Sequence, residues 1–249
     1  MKLRSWTPHE EVAANMEYSQ QLTRVLELHG NPVAVAIVPE PPRGLEQLRH
    51  KATACMMVQM ARRGEVFSCS GDGILCGGRA NLGLGEASIR KLDDFLVRRE
   101  KLFGSRAAAR KLLDSGRKRA PEQGDYLAFS PLGGAPFVPD VVLFVGIPIQ
   151  VSRIIFLDAF DTGETDTLHG EPLCSGAIAA PITTGRIGVS FLDTACRIIG
   201  GYRPEEMVVG VPYRRILSIV QSIKLSSAGT AKPDPLLRLA EILLRWRVE

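Results

Sequence analysis

Apolar positions along the chain follow two periods in turn. Over residues 9–29, Val12, Met16, Leu22, Val25, Leu26 and Leu28 form an approximate stripe of helical spacing. Gly30 suits the position after the helix end, and Asn31-Pro32 stops it. Val33–Val38 is then a continuous apolar run of strand length, closed by Pro39-Glu40-Pro41-Pro42. Residues 46–63 read as a helix with Cys55, Met56, Val58 and Met60 on or near its buried side. Val66–Cys69 reads as a short strand entering a glycine-rich loop, and residues 86–113 read as helical with a break at Gly104.

Two later segments resemble each other. Asp140–Pro148 is a strand ending in Gly-Ile-Pro before a helix with Arg153, Ile154 and Ile155. Glu206–Pro212 is a strand ending in Gly-Val-Pro before a helix with Arg215, Ile216 and Leu217. Proline is well placed in a first helical turn, where no backbone donor is needed. The pair is either a common strand-to-helix turn or a pseudo-duplicated strand-Gly-x-Pro-helix unit, which would set both turns on one side of a shared sheet. Between them, Cys174–Arg186 reads as a short helix of small residues and a turn, with Ile187–Phe191 as a strand. Pro235–Trp246 is a leucine-rich apolar helix that either packs on its own domain or forms a homodimer contact.

Helices and strands are mixed without strict alternation, which predicts an α+β (mixed α/β) fold with a central mixed sheet flanked by helices. The expected organisation is an α+β domain over residues 1–228 and an apolar C-terminal helix over 229–249. A polar linker at 115–124 marks a seam between two fused sub-units.

Composition is ordinary for a globular chain of 249 residues, at 45% hydrophobic and 23% charged. A chain this long buries a core without disulfides or structural metal, so any metal would be functional. No apolar run is long enough to span a bilayer and no signal peptide stands at the N-terminus, which predicts a cytoplasmic protein. Five cysteines in a reducing compartment do not make a disulfide framework. The net charge is +4, and residues 88–119 carry 11 Lys and Arg against 4 Asp and Glu. Binding of nucleic acid or another anionic partner is one reading of that stretch; without interleaved aromatics or a DNA-binding motif, a solvated helix face is the favoured one.

The chemistry concentrates in residues 69–86. Cys69 and Cys76 stand there among Gly71, Gly73, Gly77, Gly78, Gly83 and Gly85, and Cys55 precedes them. Such backbone freedom suits a loop that approaches a ligand or turns through positive φ. The cysteines are not paired as C-x-x-C, which excludes local zinc ribbons and ferredoxin runs. Sulfurs from distant segments could still converge, and soft thiolates suit zinc, copper(I) or an iron–sulfur cluster. Buried cysteine also serves as a small apolar side chain, so packing is the competing reading. The glycines lack the dinucleotide fingerprint and no Gly-Lys-Ser/Thr occurs, which leaves a nucleotide site weakly supported. His169 is the one histidine close in sequence to a thiol, Cys174, and reads as a turn residue. Asp158, Asp161, Glu164 and Asp166 fit no calcium-loop spacing and read as a solvated loop.

Several of these pieces occur together in one family. They are Pro32–Val35, Cys55, Ala61–Glu65, the Cys-Gly-Gly stretch ending in Leu82–Glu86, Ala135–Val142, Cys174 with Pro181 and Thr184-Gly185, and Glu205–Pro212. In this order they resemble the DUF169 family of bacterial and archaeal proteins over roughly residues 15–225. The resemblance carries no activity. It implies recurring cysteines at positions like Cys55, Cys76 and Cys174. The family usually places a proline between its cysteine and Gly-Gly, whereas here Cys76 adjoins Gly77 directly. The region near Cys196 also departs from the pattern, which makes Cys196 the weakest candidate ligand.

The leading expectation is a thiolate site with Cys55, Cys76 and Cys174 as ligands and Cys69 as an optional fourth. It would hold an iron–sulfur cluster rather than zinc, because no histidine lies close enough in sequence to complete a zinc set, and would act in redox chemistry with a redox partner. The competing expectation is a small-molecule or anion-binding module, without a cofactor, in which Gly77, Gly78, Arg79, Asn81 and Thr184-Gly185-Arg186 surround a pocket and the cysteines merely pack.

Overall fold

The computed structural model describes residues 8–86, 92–115, 126–165 and 167–232. Linker residues 116–124, Asp166 and the apolar stretch 235–246 with its homodimer contact therefore lie outside the described residues. Helix α1 (Pro8–Leu26) leads into strand β1 (Val33–Val38), and α2 (Ala54–Arg62) into β2 (Phe67–Ser70). The short helix α3 (Gly78–Asn81), then α4 (Leu92–Arg98) and α5 (Arg106–Ser115), precede β3 (Tyr126–Pro131). Strand β4 (Val141–Gly146), helix α6 (Pro148–Asp158) and the two-residue β5 (Leu168–His169) follow. A π-helix (Cys174–Ala179) runs into α7 (Ala180–Thr184), then β6 (Gly188–Ser190) and α8 (Thr194–Gly200). Strand β7 (Met207–Pro212) and α9 (Ile216–Ser222) complete the described elements.

The strands form one open sheet in the order β2-β3-β1-β4-β7-β6-β5, antiparallel throughout except for the β5–β6 pair. The α+β class expected from the sequence is the class observed. Strand periodicity divides the core between the two faces. Val33, Val35, Val141, Leu143, Leu127, Phe129 and Val208 point to the face covered by α2 and the π-helix. Ala34, Ala36, Val142, Phe144, Val209 and Val211 point to the other, where α1, α6 and α9 supply Leu22, Ile154 and Ile219. Burial of both faces accounts for the unbroken apolar runs of the central strands β1 and β4.

Several sequence expectations need correction. Helix α1 ends at Leu26 rather than 29, because Glu27 enters the left-handed region at φ 55° ahead of Gly30. Met16 lies exposed rather than on the buried stripe. The helix expected over 46–63 begins only at Ala54. Residues 46–48 instead run along β2, with Ser68 donating to the Glu46 carbonyl at 2.9 Å and Leu48 to the Ser68 carbonyl at 2.8 Å. The expected helix over 86–113 divides into α4 and α5, which are joined by Arg106 and Arg110 on Asp93. The two strand-Gly-x-Pro segments do share the sheet, and their helices α6 and α9 pack on one face. Their strands pair antiparallel, Val141 with Pro212 and Gly146 with Met207, so the turns stand at opposite ends of the sheet. Pro148 opens α6, whereas Pro212 closes β7.

The π-helix lies directly on the sheet through bare backbone. A Cβ on Gly188 would overlap the Gly176 carbonyl oxygen, and one on Gly210 would overlap that of Ala177. A Cβ on Gly176 would collide with the Gly170 oxygen. Only glycine permits this approach.

Candidate functional site: a pocket lined by four thiols

Four thiols from distant segments of the chain line one pocket on the α2 face: Cys55, Cys76, Cys174 and Cys196. The cavity measures about 190 Å³ and is mostly apolar, with Leu75, Leu92, Phe95, Leu96, Leu173 and Ile199 in its walls. Two carboxylates, Glu100 and Asp193, also face it.

Each thiol is held by local structure. Thr53 N-caps α2, its side chain accepting from Met56 N–H, and so places Cys55 in the first helical turn. Asp193 N-caps α8 and accepts the Cys196 N–H at 2.7 Å, which puts Cys196 in an equivalent turn. Cys76 follows a 3₁₀ turn at Gly71–Gly73. Ala52 donates to the Gly73 carbonyl and Leu75 to the Ala52 carbonyl, fastening that loop to the approach to α2. Cys174 opens the π-helix, and the Asn81 amide donates to its sulfur at 3.3 Å. Gly78 lies among them. Its N–H donates to Cys76 Sγ at 3.4 Å, and a Cβ there would stand 3.1 Å from Cys76 Sγ and 3.3 Å from Cys174 Sγ.

The thiols differ in how readily they ionise. Cys196 donates a hydrogen bond to the Cys55 sulfur, and this lowers the Cys55 pKa against the opposing effect of burial, with Thr53 Oγ1 at 3.0 Å adding to it. The same bond, with burial, pushes Cys196 well up. Burial raises Cys76, opposed by the Ala54 and Gly78 amides. Burial also pushes Cys174 well up, and the neighbouring Cys76 adds to this. Burial pushes Glu100 up to about 7, assisted by the negative charge of Asp193, against one hydrogen bond from the Ala195 amide. Its Oε2 is buried and has no hydrogen-bond partner among the described residues. Burial thus raises Cys76, Cys174, Cys196 and Glu100, while Cys55 is the pocket thiol that is moved down.

Of the residues expected from sequence, Cys55, Cys76 and Cys174 come together, and Gly77 and Gly78 line the same pocket. Cys69 does not line it. Its side chain lies in the core under β2, its sulfur donates to the Ser70 carbonyl, and burial pushes it up to about 11. Cys196, the weakest candidate in the sequence, stands in the fourth place instead. The signal for it is Asp193, an N-cap residue shortly upstream of a thiol, as Thr53 is for Cys55. Asn81 touches the site through Cys174. Arg79 pairs with Asp72 at 2.8 Å and donates to the Leu84 carbonyl. Thr184, Gly185 and Arg186 are not in the lining, and the Gly185 carbonyl accepts from Arg214 and Arg215. His169 is half-exposed on the Phe191 ring, with Glu171 at 3.8 Å. Asp158 pairs with Arg215.

Among the described residues, no group of three or more His, Cys, Asp or Glu is arranged to hold a metal ion. Among the same residues no helix is long and apolar enough to cross a membrane.

The match to known proteins covers the domain that carries this pocket. The DUF169 family model, described as "Uncharacterised ArCR", matches residues 21–222. The chain belongs to this family. It is similar to the "Uncharacterized protein MJ0308" of Methanocaldococcus jannaschii, at 27% identity over 217 residues, covering 84% of this chain and 93% of that protein. No solved structure matches the chain.

Proposed function

We propose that the pocket is a thiolate cofactor site in which Cys55, Cys76, Cys174 and Cys196 are the ligands and an iron–sulfur cluster is the group held. The observation that carries this reading is the convergence of four thiols from four separate segments on one apolar cavity. Thiolates are the usual ligands of such clusters. In a four-iron cluster each thiolate binds a different iron, so the sulfurs need not meet around one point as the ligands of a single zinc ion do. Among the described residues no three donors do so. The Gly78 amide and the Asn81 amide, both directed at sulfur, are donors of the kind that tune a cluster. When bound, the group would supply one-electron chemistry. The chain's own residues would hold it, release the protons of the four thiols on loading, and keep bulk water out with leucine and phenylalanine walls.

The test is anaerobic purification followed by incubation with ferrous iron and sulfide. The visible spectrum and the iron, sulfide and zinc content are then measured. A coloured protein with stoichiometric iron and sulfide is expected. Cys55→Ser and Cys174→Ser should each lose most of it, while Cys69→Ser should retain it. A folded, colourless protein that takes up neither iron nor zinc would overturn the cofactor reading. It would favour a small-molecule pocket instead, which the apolar cavity and the unpartnered Glu100 oxygen support.

A further inference from the structure

The pocket holds one polar group that the fold leaves half used, the carboxyl of Glu100. The end of α4 sets its position. There the Glu100 N–H donates to the Phe95 carbonyl at 3.1 Å, and Lys101 turns through φ 54°, with the Leu102 N–H on the Leu96 carbonyl at 3.0 Å. Arg106 and Arg110 on Asp93 fasten α5 to α4, so the turn is carried on a braced pair of helices. The Glu100 carboxyl takes one hydrogen bond, from the Ala195 amide in the first turn of α8, while its Oε2 is buried with no partner among the described residues. A buried carboxyl oxygen without a donor is unfavourable, and a ligand that brings a donor relieves it. The pocket that Glu100 faces is walled by Leu92, Phe95, Leu96 and Leu113 from the same helix pair. Asp193 adds a second carboxylate, already spent on the Cys196 N–H. Among the described residues no Lys, Arg or His lines the cavity.

We propose that the pocket binds a small primary amine with an apolar body, its ammonium group held by Glu100. The ammonium supplies the missing donor, and its charge suits a lining with two acids and no base. The apolar body takes the place of water against the leucine and phenylalanine walls. Size narrows the class further. An apolar cavity of about 150 Å³ takes up benzene. The 190 Å³ here therefore admits one aromatic ring with a short aminoalkyl arm, and is too small for a nucleotide. The same two acids disfavour a carboxylate or phosphate ligand. The inference names a ligand for Glu100 and the α4 and α5 walls; it uses none of the thiols and does not rest on the cofactor reading.

Full-length protein, purified anaerobically without added iron, is titrated in a calorimeter with benzylamine and with benzyl alcohol, its neutral isostere. Benzylamine should bind one per chain and about tenfold or more tighter than the alcohol, the difference that a charged hydrogen bond makes. Glu100→Gln keeps the size of the side chain and removes its charge. It should weaken benzylamine by about tenfold or more and leave benzyl alcohol within about threefold. No benzylamine binding at millimolar concentration, an alcohol that binds as tightly as the amine, or an affinity that Glu100→Gln leaves unchanged would each overturn the proposal. If Glu100→Gln does not fold, the wild-type comparison decides, with nuclear Overhauser transfer from the benzyl ring to Phe95 expected and its absence overturning the site. Iron and sulfide uptake is measured separately and is blind to Glu100, so failure of amine binding and failure of the cofactor reading are told apart.

Discussion

Gly78→Ala separates the stability of the fold from the competence of the pocket. The added methyl would sit 3.1 Å from Cys76 Sγ and 3.3 Å from both Cys174 Sγ and Ala54 Cβ. These contacts are a few tenths of an ångström too short, and overpacking of this kind costs about 1–3 kcal/mol. Gly78 begins α3 with ordinary backbone, and replacing a helical glycine by alanine returns about 1 kcal/mol. The net is a loss between about 0 and 2 kcal/mol, or a fall in Tm of up to about 8 °C for a chain of this size. The methyl nevertheless lies between two of the four sulfurs. Calorimetry should therefore show a cooperative, slightly lowered transition, while iron and sulfide uptake falls to the level of Cys174→Ser. Undiminished uptake in the alanine variant would refute the reasoning, because the space between Cys76 and Cys174 would then not be where the cofactor goes.

Three other outcomes are expected. Glu206→Ala should destabilise the protein by about 1.5–3 kcal/mol in urea titration, because it removes the carboxylate 2.7 Å from Arg62 and leaves the guanidinium only its bonds to Gln59 and the His29 carbonyl. Glu206→Gln should cost less, since its amide oxygen still accepts from Arg62, although its amino group then faces the Arg203 amide in place of an acceptor. Glu100 and Glu171 are both raised from 4.5 to about 7, chiefly by burial. They keep their protons in the folded chain to higher pH than in the unfolded chain, so stability falls as pH rises from about 4.5 to about 7. Denaturation midpoints across that window should show a decline that Glu171→Gln flattens, and a level profile would contradict the assignment. Gly210→Ala should destabilise by more than about 4 kcal/mol, because its methyl would overlap the Ala177 carbonyl oxygen.

The central strands are readable because both faces of β1 and β4 are buried, so an unbroken apolar run is the right signature. Residues 46–48 look helical in sequence because nothing in their composition announces the pairing with β2, which fixes them only after the chain has folded back. Three of the pocket thiols are legible from the family resemblance. Cys69 and Cys196 exchange importance for a local reason. Cys69 shares its strand face with Phe67, which stacks on Phe129, and alternation carries its side chain into the core. Cys196 sits where Asp193 starts a helix facing α2. The partner of that helix cannot be read from either segment separately.

Three glycines far apart in the chain, Gly176, Gly188 and Gly210, let main chain rest on main chain beneath Cys174. The sulfur's height above the sheet is therefore set by peptide groups, which have almost no freedom to adjust, and not by side chains that can change rotamer. A methyl on any of the three would lift the whole first turn and carry the sulfur with it, although none of those residues faces the pocket. A descendant of this chain could exchange its leucine walls for new ligands more readily than it could give up this seat.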